Sequence, residues 1–400
     1  MITANECLIE QCMFDPKDFV EKTLREIRAT VKEERVLAAC SGGVDSVTAT
    51  LLTHKAIQDN LATVFIDTGF MRLNEPEEVE LLLRELKLPI KTVDARKSFL
   101  EALKDLENAE EKRKKFREIF YGILGENARA EGCSFLVQGT IAPDWIETKG
   151  GIKTQHNILS QIGINPVERF GFQVLEPLAY LYKDQVRAVA KHLGIPLVPE
   201  KLPFPGPGLL VRASGRISEE KIGMLKAATK FVEESMEGDQ CFVAIADDND
   251  EKDGDKIKDL ASKFFGITPE HVKVKVPKCL VTGVKGDLRA YKKLAALTII
   301  SDSGVFKPAI EKLVQLQVEI VSKNPDFTRV VYNITEKPRR GKCLLFLRSV
   351  RTRDYMTADV SNVEWDALTK IAEKLMDKCK AVSAVYYDIT PKPPATVEYE

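Results

Sequence analysis

The chain has 400 residues, with 59 Lys plus Arg against 60 Asp plus Glu and a formal net charge of −1. So even a balance lacks the basic surface that broad nucleic-acid binding needs, and eight scattered cysteines with no Cys-x-x-Cys pair, beside only four histidines, do not suggest a zinc centre. The first residues lack signal-peptide character and no apolar run reaches membrane-spanning length, so the expectation is a cytoplasmic chain of two or three domains with no membrane and no nucleic-acid partner.

Residues 1–34 read as a helical lead-in. Asp15-Pro16 starts a helix whose apolar stripe is Phe19, Leu24, Ile27 and Val31. Val36 to Cys40 reads as a buried strand, followed by the small-residue turn Ser41-Gly42-Gly43 and a helix opened by Val44-Asp45-Ser46. Backbone N–H groups at such a corner have no intrahelical partner, and the helix dipole favours an anion there. Gly42 and Gly43 permit close approach of a phosphate, Ser41 and Ser46 offer hydroxyls, and Asp45 can hold a cation beside the phosphates. No Gly-Lys-Ser/Thr follows, so this is not a Walker loop.

Ala62 to Gly69 reads as a second buried strand, ending in the acidic residue Asp67 and a glycine. Ligands gather beyond the carboxyl ends of strands in an open parallel sheet, which marks Asp67 as a candidate. Glu75 to Leu86 reads as a helix and Ile90 to Asp94 as a third strand. Ser98 to Arg129 reads as one charged helix, and its run Lys112-Arg113-Lys114-Lys115 as a solvated face. Ser134 to Thr140 reads as a fourth strand, with Gly139 inside it. Asp144, Glu147, Lys153 and His156 follow in a stretch of little periodicity with a Gly150-Gly151 hinge, which reads as a loop closing over a site. Val174 to Leu178 is a fifth strand, and Lys183 to Leu193 a helix stopped at Gly194. Strands alternating with helices imply an α/β, doubly wound, mostly parallel sheet.

Pro203-Phe204-Pro205-Gly206-Pro207-Gly208-Leu209 is stiffened by three prolines, while its glycines allow a close backbone approach. Beyond it the second half reads as α+β with an internal duplication. Arg329 to Pro338 matches Ala384 to Pro393, each after an amphipathic helix, Lys307 to Ser322 and Trp365 to Lys380. The acidic run Asp247 to Asp253 lacks the spaced ligands and distal Glu of an EF-hand and reads as a surface loop.

The Ser-Gly-Gly-Val-Asp-Ser loop resembles that of the N-type ATP pyrophosphatases, which cut ATP between its α and β phosphates. The loop alone leaves NAD synthetases and tRNA-modifying adenylating enzymes open. Together, Phe204 to Leu209, the ending Lys392-Pro393-Pro394-Ala395-Thr396-Val397-Glu398-Tyr399-Glu400, Phe65 to Arg72, Gln138 to Asp144, Leu175 to Leu178 and Gly286 to Arg289 resemble the GMP synthetase family.

That resemblance implies an adenine nucleotide α-hydrolase-like ATP pyrophosphatase domain at 35–202, a bridge at 203–216 and a C-terminal dimerisation and XMP-binding region at 217–400, within which the repeated segments put the duplicated layers at about 217–340 and 341–400. It implies ATP and Mg2+ at Ser41, Gly42, Gly43, Val44, Asp45, Ser46, Asp67 and Gly139, with Asp45 on the metal. Asp45, Asp144, Glu147, Lys153 and His156 would serve catalysis, although Gln155 stands where relatives often have a second histidine. XMP would meet Arg289, Lys392, Glu398, Pro205, Gly206 and Gly208. The implied reaction adenylates XMP and then aminates it to GMP. Only about 35 residues precede the first strand, too few for a glutaminase domain, so ammonia is expected from a separate, transiently docked glutamine amidotransferase subunit or from solution. A homodimer is also implied.

Overall fold

The computed structural model describes residues 14–144, 165–196, 204–285, 288–352, 357–396 and 398–400. The chain divides into two compact units, Met1–Asp67 with Asn74–Ala95 and Arg117–Lys201, and Thr68–Leu73 with Arg96–Phe116 and Leu202–Glu400. Among the described residues no helix is long and apolar enough to cross a membrane.

The first half of the chain begins with α1 (Pro16–Val31), which starts at the cap Asp15, whose carboxylate accepts from Lys17 N at 2.8 Å. There follow β1 (Arg35–Ala39), α2 (Val44–Ile57), β2 (Leu61–Asp67), α3 (Glu75–Glu85) and β3 (Ile90–Asp94). The stretch expected as one helix from Ser98 is instead two, α4 (Arg96–Leu103) and α5 (Ala109–Ala130). The physical reason is Asn108, whose side chain accepts from Glu110 N and Glu111 N at 2.9 and 3.1 Å and so begins a new helix. Helix α4 and the first turns of α5 belong to the second unit. The first unit continues with β4 (Cys133–Val137), α6 (Pro166–Phe170), β5 (Gln173–Leu175) and α7 (Lys183–His192).

All five strands are parallel, in the order β3-β2-β1-β4-β5. The central strand β1 buries Val36, Leu37 and Ala38 completely, as a strand covered on both faces must. The strand order reverses between β1 and β4. In such a sheet that reversal opens a crevice at the carboxyl ends, where ligands bind. Helix α2 leaves this point through the core, burying Val47 to Thr53. Its threonines stay satisfied by donating back one turn, Thr48 to Val44 O at 2.6 Å and Thr53 to Ala49 O at 2.9 Å.

The second unit holds α8 (Glu219–Ser235), β6 (Gln240–Asp247), α9 (Asp255–Phe265), β7 (Val272–Lys275), β8 (Val281–Lys285), β9 (Leu288–Ser301) and β10 (Gly304–Val305). After these come α10 (Ile310–Lys323), β11 (Phe327–Asn333), β12 (Cys343–Arg351), β13 (Asp359–Val360), α11 (Trp365–Lys378) and β14 (Val382–Asp388). Two parallel strand–helix–strand layers, β9-α10-β11 and β12-α11-β14, meet where β11 runs antiparallel to β14. Tyr332 pairs with Tyr387 there, so the two matching sequence segments face each other about a local two-fold. Hydrogen bonds repeat across it. Thr335 Oγ1 donates to Val385 O at 3.0 Å, and Thr390 Oγ1 donates to Val330 O at 3.1 Å.

The acidic run after β6 is neutralised by lysines: Asp248 pairs with Lys275, and Glu251 and Asp253 pair with Lys293. Among the described residues no group of three or more His, Cys, Asp or Glu is placed to hold a metal ion.

The core of this unit contains a buried charge hub. The Asp388 carboxylate receives Arg329 Nη1 at 2.9 Å, Arg348 Nη1 at 3.1 Å, the Tyr399 hydroxyl at 2.7 Å and Thr390 N at 3.0 Å. Burial alone would raise this carboxyl, but the two guanidiniums, the phenol and the amide carry it below its ordinary value. Asp388→Asn is expected to cost about 3–5 kcal/mol at neutral pH, because two buried cations lose their counter-charge. A fall in the urea midpoint would measure it. A depressed folded pKa means the carboxylate's contribution is full above the unfolded value and is lost as pH falls through the folded one. The midpoints of wild type and variant should therefore converge in acid.

Candidate active site

The corner between β1 and α2 is shaped by one hydroxyl. Ser46 Oγ donates to Gly43 O at 2.9 Å, accepts from Ser41 N at 3.2 Å and lies 3.0 Å from Ser41 Oγ. Gly42 has φ +82°, and a Cβ on it would fall 2.2 Å from Val79 Cγ2. Gly43 precedes α2 without a side-chain cap, so the N–H groups of the first turn are left for a ligand. Gly139, just after β4, packs against that turn so closely that a Cβ would lie 2.7 Å from Ser46 N. Ser41, Gly42, Gly43, Val44, Asp45, Ser46 and Gly139 thus form one continuous surface at the sheet's reversal point. Asp67 is buried at the end of β2, and its carbonyl accepts from Ala95 N at 2.9 Å.

Asp45 has a partner that sequence reasoning missed. Lys183 Nζ, from the start of α7, donates to Asp45 Oδ2 at 2.6 Å. The helix is set by Gln185, whose side chain accepts from Tyr182 N at 2.9 Å. A signal existed, since a cation in the first turn of a helix opposes the dipole and asks for a reason. Asp45 Oδ1 is buried with no hydrogen-bond partner among the described residues. That fits a hard cation, because Mg2+ takes one or two carboxylates and completes its shell with phosphate oxygens and water. Asp144 Oδ2 accepts from Ile141 N at 3.0 Å, closing the turn after β4. Near it, burial pushes the Glu176 carboxyl up; Thr140 opposes the shift and the Asp144 charge adds to it. Glu147, Lys153 and His156 lie outside the described residues.

In the second unit, Arg289 and Glu398 are brought together. Glu398 Oε2 receives Arg113 Nη2 at 2.9 Å and Arg289 Nη2 at 3.3 Å. Next to it Glu400 takes Lys112 Nζ and, at 2.7 Å, Gly215 N. Burial pulls Lys112 down and pushes Glu400 up, and their mutual attraction opposes both shifts. The reading of the basic run as a solvated face therefore fails for Lys112 and Arg113, which are buried, and holds for Lys114 and Lys115, which are exposed. Spacing carried the signal: Lys112 lies on the face of Ala109 and Phe116, both buried.

Lys392 is held by backbone pairing with Ala358, at 2.8 and 2.9 Å. Pro205 O accepts from Gly208 N at 2.8 Å, while Gly206 is exposed. Gly208 is required, because a Cβ would fall 2.2 Å from Phe70 O. The Phe204 ring carries Arg72 at 4.1 Å and Arg212 at 5.0 Å, and burial brings the Arg212 guanidinium down to about 9.

The PP-loop domain family matches residues 16–200, and the GMP synthase C terminal domain family matches residues 339–399. The chain is 43% identical over 391 residues to a subunit of the glutamine-hydrolyzing GMP synthase of Sulfurisphaera tokodaii, covering 97% of this chain and 100% of that one. It is 37% identical over 390 residues to the subunit of the same name in Methanocaldococcus jannaschii, again covering 97% and 100%. Among solved structures, NMN synthetase from Francisella tularensis aligns at 18% identity with a TM-score of 0.39, over 53% of this chain and 82% of that one, too slight a likeness to argue from.

Gly139→Ala should displace the first turn of α2 and weaken the corner's hold on inorganic pyrophosphate by about tenfold or more, as loss of one or two charge-assisted hydrogen bonds would. Calorimetric titration against Gly122→Ala, where a Cβ meets nothing within 4 Å, is the measurement.

Proposed function

The chain belongs to this family of GMP synthase subunits, whose members are ligases, and from that premise we propose that it aminates XMP to GMP using ATP. The observation that carries the reading is similarity along nearly the whole chain, which takes in both the anion-binding corner and the C-terminal tail. ATP would lie with its phosphates on the corner of Ser41 to Ser46 and Gly139. Mg2+ on Asp45 would supply positive charge for the departing pyrophosphate. The chain's own part is to present unpaired N–H groups, to orient Asp45 through Lys183, and to shield the reacting phosphorus from water.

The reaction proposed has two steps. The purine O2 of XMP displaces pyrophosphate from the α-phosphorus, giving adenylyl-XMP. Ammonia then displaces AMP at C2. Asp144, Glu147, Lys153 and His156 would belong to the closing loop, with Lys153 countering charge near the α-phosphate. Arg113 and Arg289 would hold the XMP phosphate, and Glu398 would be released to accept from the purine. Lys392 and the turn Pro205, Gly206, Gly208 would line the same substrate. Ammonia would come from a separate glutamine amidotransferase subunit, docked transiently in the cytoplasm, or from solution, and the enzyme would act as a homodimer.

Pyrophosphate release with ATP and Mg2+ tests the substrate. XMP should support it, and nicotinate adenine dinucleotide, citrulline and tRNA should not; release driven by one of those three would replace the proposal. Asp45→Ala and Lys153→Ala should abolish the XMP-dependent signal. The chain alone should use ammonium far better than glutamine, and equal rates would remove the separate glutaminase. Light scattering should give twice the 44.8 kDa of one chain, and a single chain's mass would remove the homodimer.

A further inference from the structure

The C-terminal tail follows β14 in the chain, so it belongs to the layer β12-α11-β14, yet side chains of the other half of the unit hold it. Arg329, on β11, is completely buried and divides its guanidinium among three elements. Nε donates to Thr282 O on β8 at 3.0 Å, and Nη1 to Asp388 on β14 at 2.9 Å. Nη2 donates to Thr396 O at 2.8 Å, to Thr396 Oγ1 at 3.0 Å and to Glu398 O at 2.5 Å. The same guanidinium lies 4.1 Å over the Tyr399 ring. Thr282 completes the grip, donating from N to Tyr399 O at 2.9 Å and from Oγ1 to Glu398 O at 2.7 Å. The main-chain oxygen of Glu398 is thus fixed from several directions, while its carboxylate reaches Arg113 and Arg289.

We infer that Arg329 is the positioning residue of the substrate tail: from β11 it sets where Glu398 presents its carboxylate between Arg113 and Arg289. The inference rests on the reading that this cluster takes XMP. A lysine in its place would keep a charge near Asp388. It would lose the planar fork that serves Thr282, Asp388 and the tail together, and the stacking on Tyr399. Arg329 has no access to the substrate itself. Its effect passes through the backbone of Thr396 and Glu398, and a change there should alter the binding of the purine nucleotide and leave that of ATP alone. The layer β9-α10-β11 thereby gains a role, as the clamp for a tail that another layer carries.

The test is steady-state pyrophosphate release by the full chain, with XMP and ATP varied in turn. Arg329→Lys should raise KM for XMP by about tenfold or more, the worth of one or two charge-assisted hydrogen bonds, with KM for ATP within about twofold of wild type. A merely structural role predicts a different result, since a smaller folded fraction lowers kcat and leaves both KM values in place. An unchanged KM for XMP in folded Arg329→Lys would overturn the inference. Should Arg329→Lys fail to fold, Thr396→Val removes the hydroxyl between Arg329 and Glu398 O without touching the Asp388 hub. It should raise KM for XMP by about threefold or more with KM for ATP unmoved, and no rise would likewise overturn the inference. Arg289→Met separates the two readings. If it leaves KM for XMP unchanged, the assignment of XMP to this cluster fails. If it raises KM while Arg329→Lys does not, only the positioning role fails.

Discussion

A single carboxylate, on Asp388, organises the second unit. Moving a charge into a dry sheet interior is costly, and it persists only when its lone pairs are all engaged. Here Arg329, Arg348, Tyr399 and the Thr390 amide engage them. Each comes from a different part of the chain, namely β11, β12, the tail and the turn after β14. One ion therefore ties both layers and the terminal segment into one arrangement. Replacing the cluster by apolar groups would give a core of similar stability with no reason to hold the tail in one place.

In the first unit a steric constraint plays the corresponding part. The corner at Ser41 to Ser46 keeps its shape only because Gly42 lies against the Val79 side chain and Gly139 against the backbone of Asp45 and Ser46, which both glycines permit by having no side chain. The Ser46 hydroxyl then closes the loop on itself, and Lys183 holds the Asp45 carboxylate at the mouth. Under the proposed reaction, such rigid parts would cost nothing to reorganise as charge develops on the departing group.

The parallel sheet was legible in the sequence because its inner strands β1, β2 and β4 are largely buried and read as continuous apolar runs bounded by glycine or polar turns, with the half-exposed edge strands β3 and β5 placed by their alternation with helices. The corner was legible for the same reason, its glycines standing between a strand and a helix. What escaped was polar burial. Lys112 and Arg113 look like solvent-facing cations in a run of four, since composition around them is charged and only the spacing to Ala109 and Phe116 betrays the buried face. Lys183 escaped because its partner, Asp45, lies 138 positions away. Arg329 and Asp388 escaped too: a charged residue inside a strand reads as its exposed edge unless the counter-charge is known. The break between α4 and α5 depended on Asn108 as a cap, a signal masked by good helix formers on both sides.

The two matching segments differ in the charges they bury. In each, an Asn or Asp accepts from the amide of a Thr two residues later, Asn333 to Thr335 at 2.9 Å and Asp388 to Thr390 at 3.0 Å, so the local turn needs only a side-chain carbonyl. The negative charge of Asp388 is surplus to that turn and serves the arginines. Likewise Arg329 stands where the other segment has Ala384. The repeat thus keeps its backbone hydrogen bonds on both sides of the local two-fold and splits one ion pair between them, the cation on β11 and the anion on β14. A symmetric pair of copies would bury two such ion pairs, doubling the desolvation cost. With the charges divided, a single ion pair joins the layers, on the side where the terminal tail must be held.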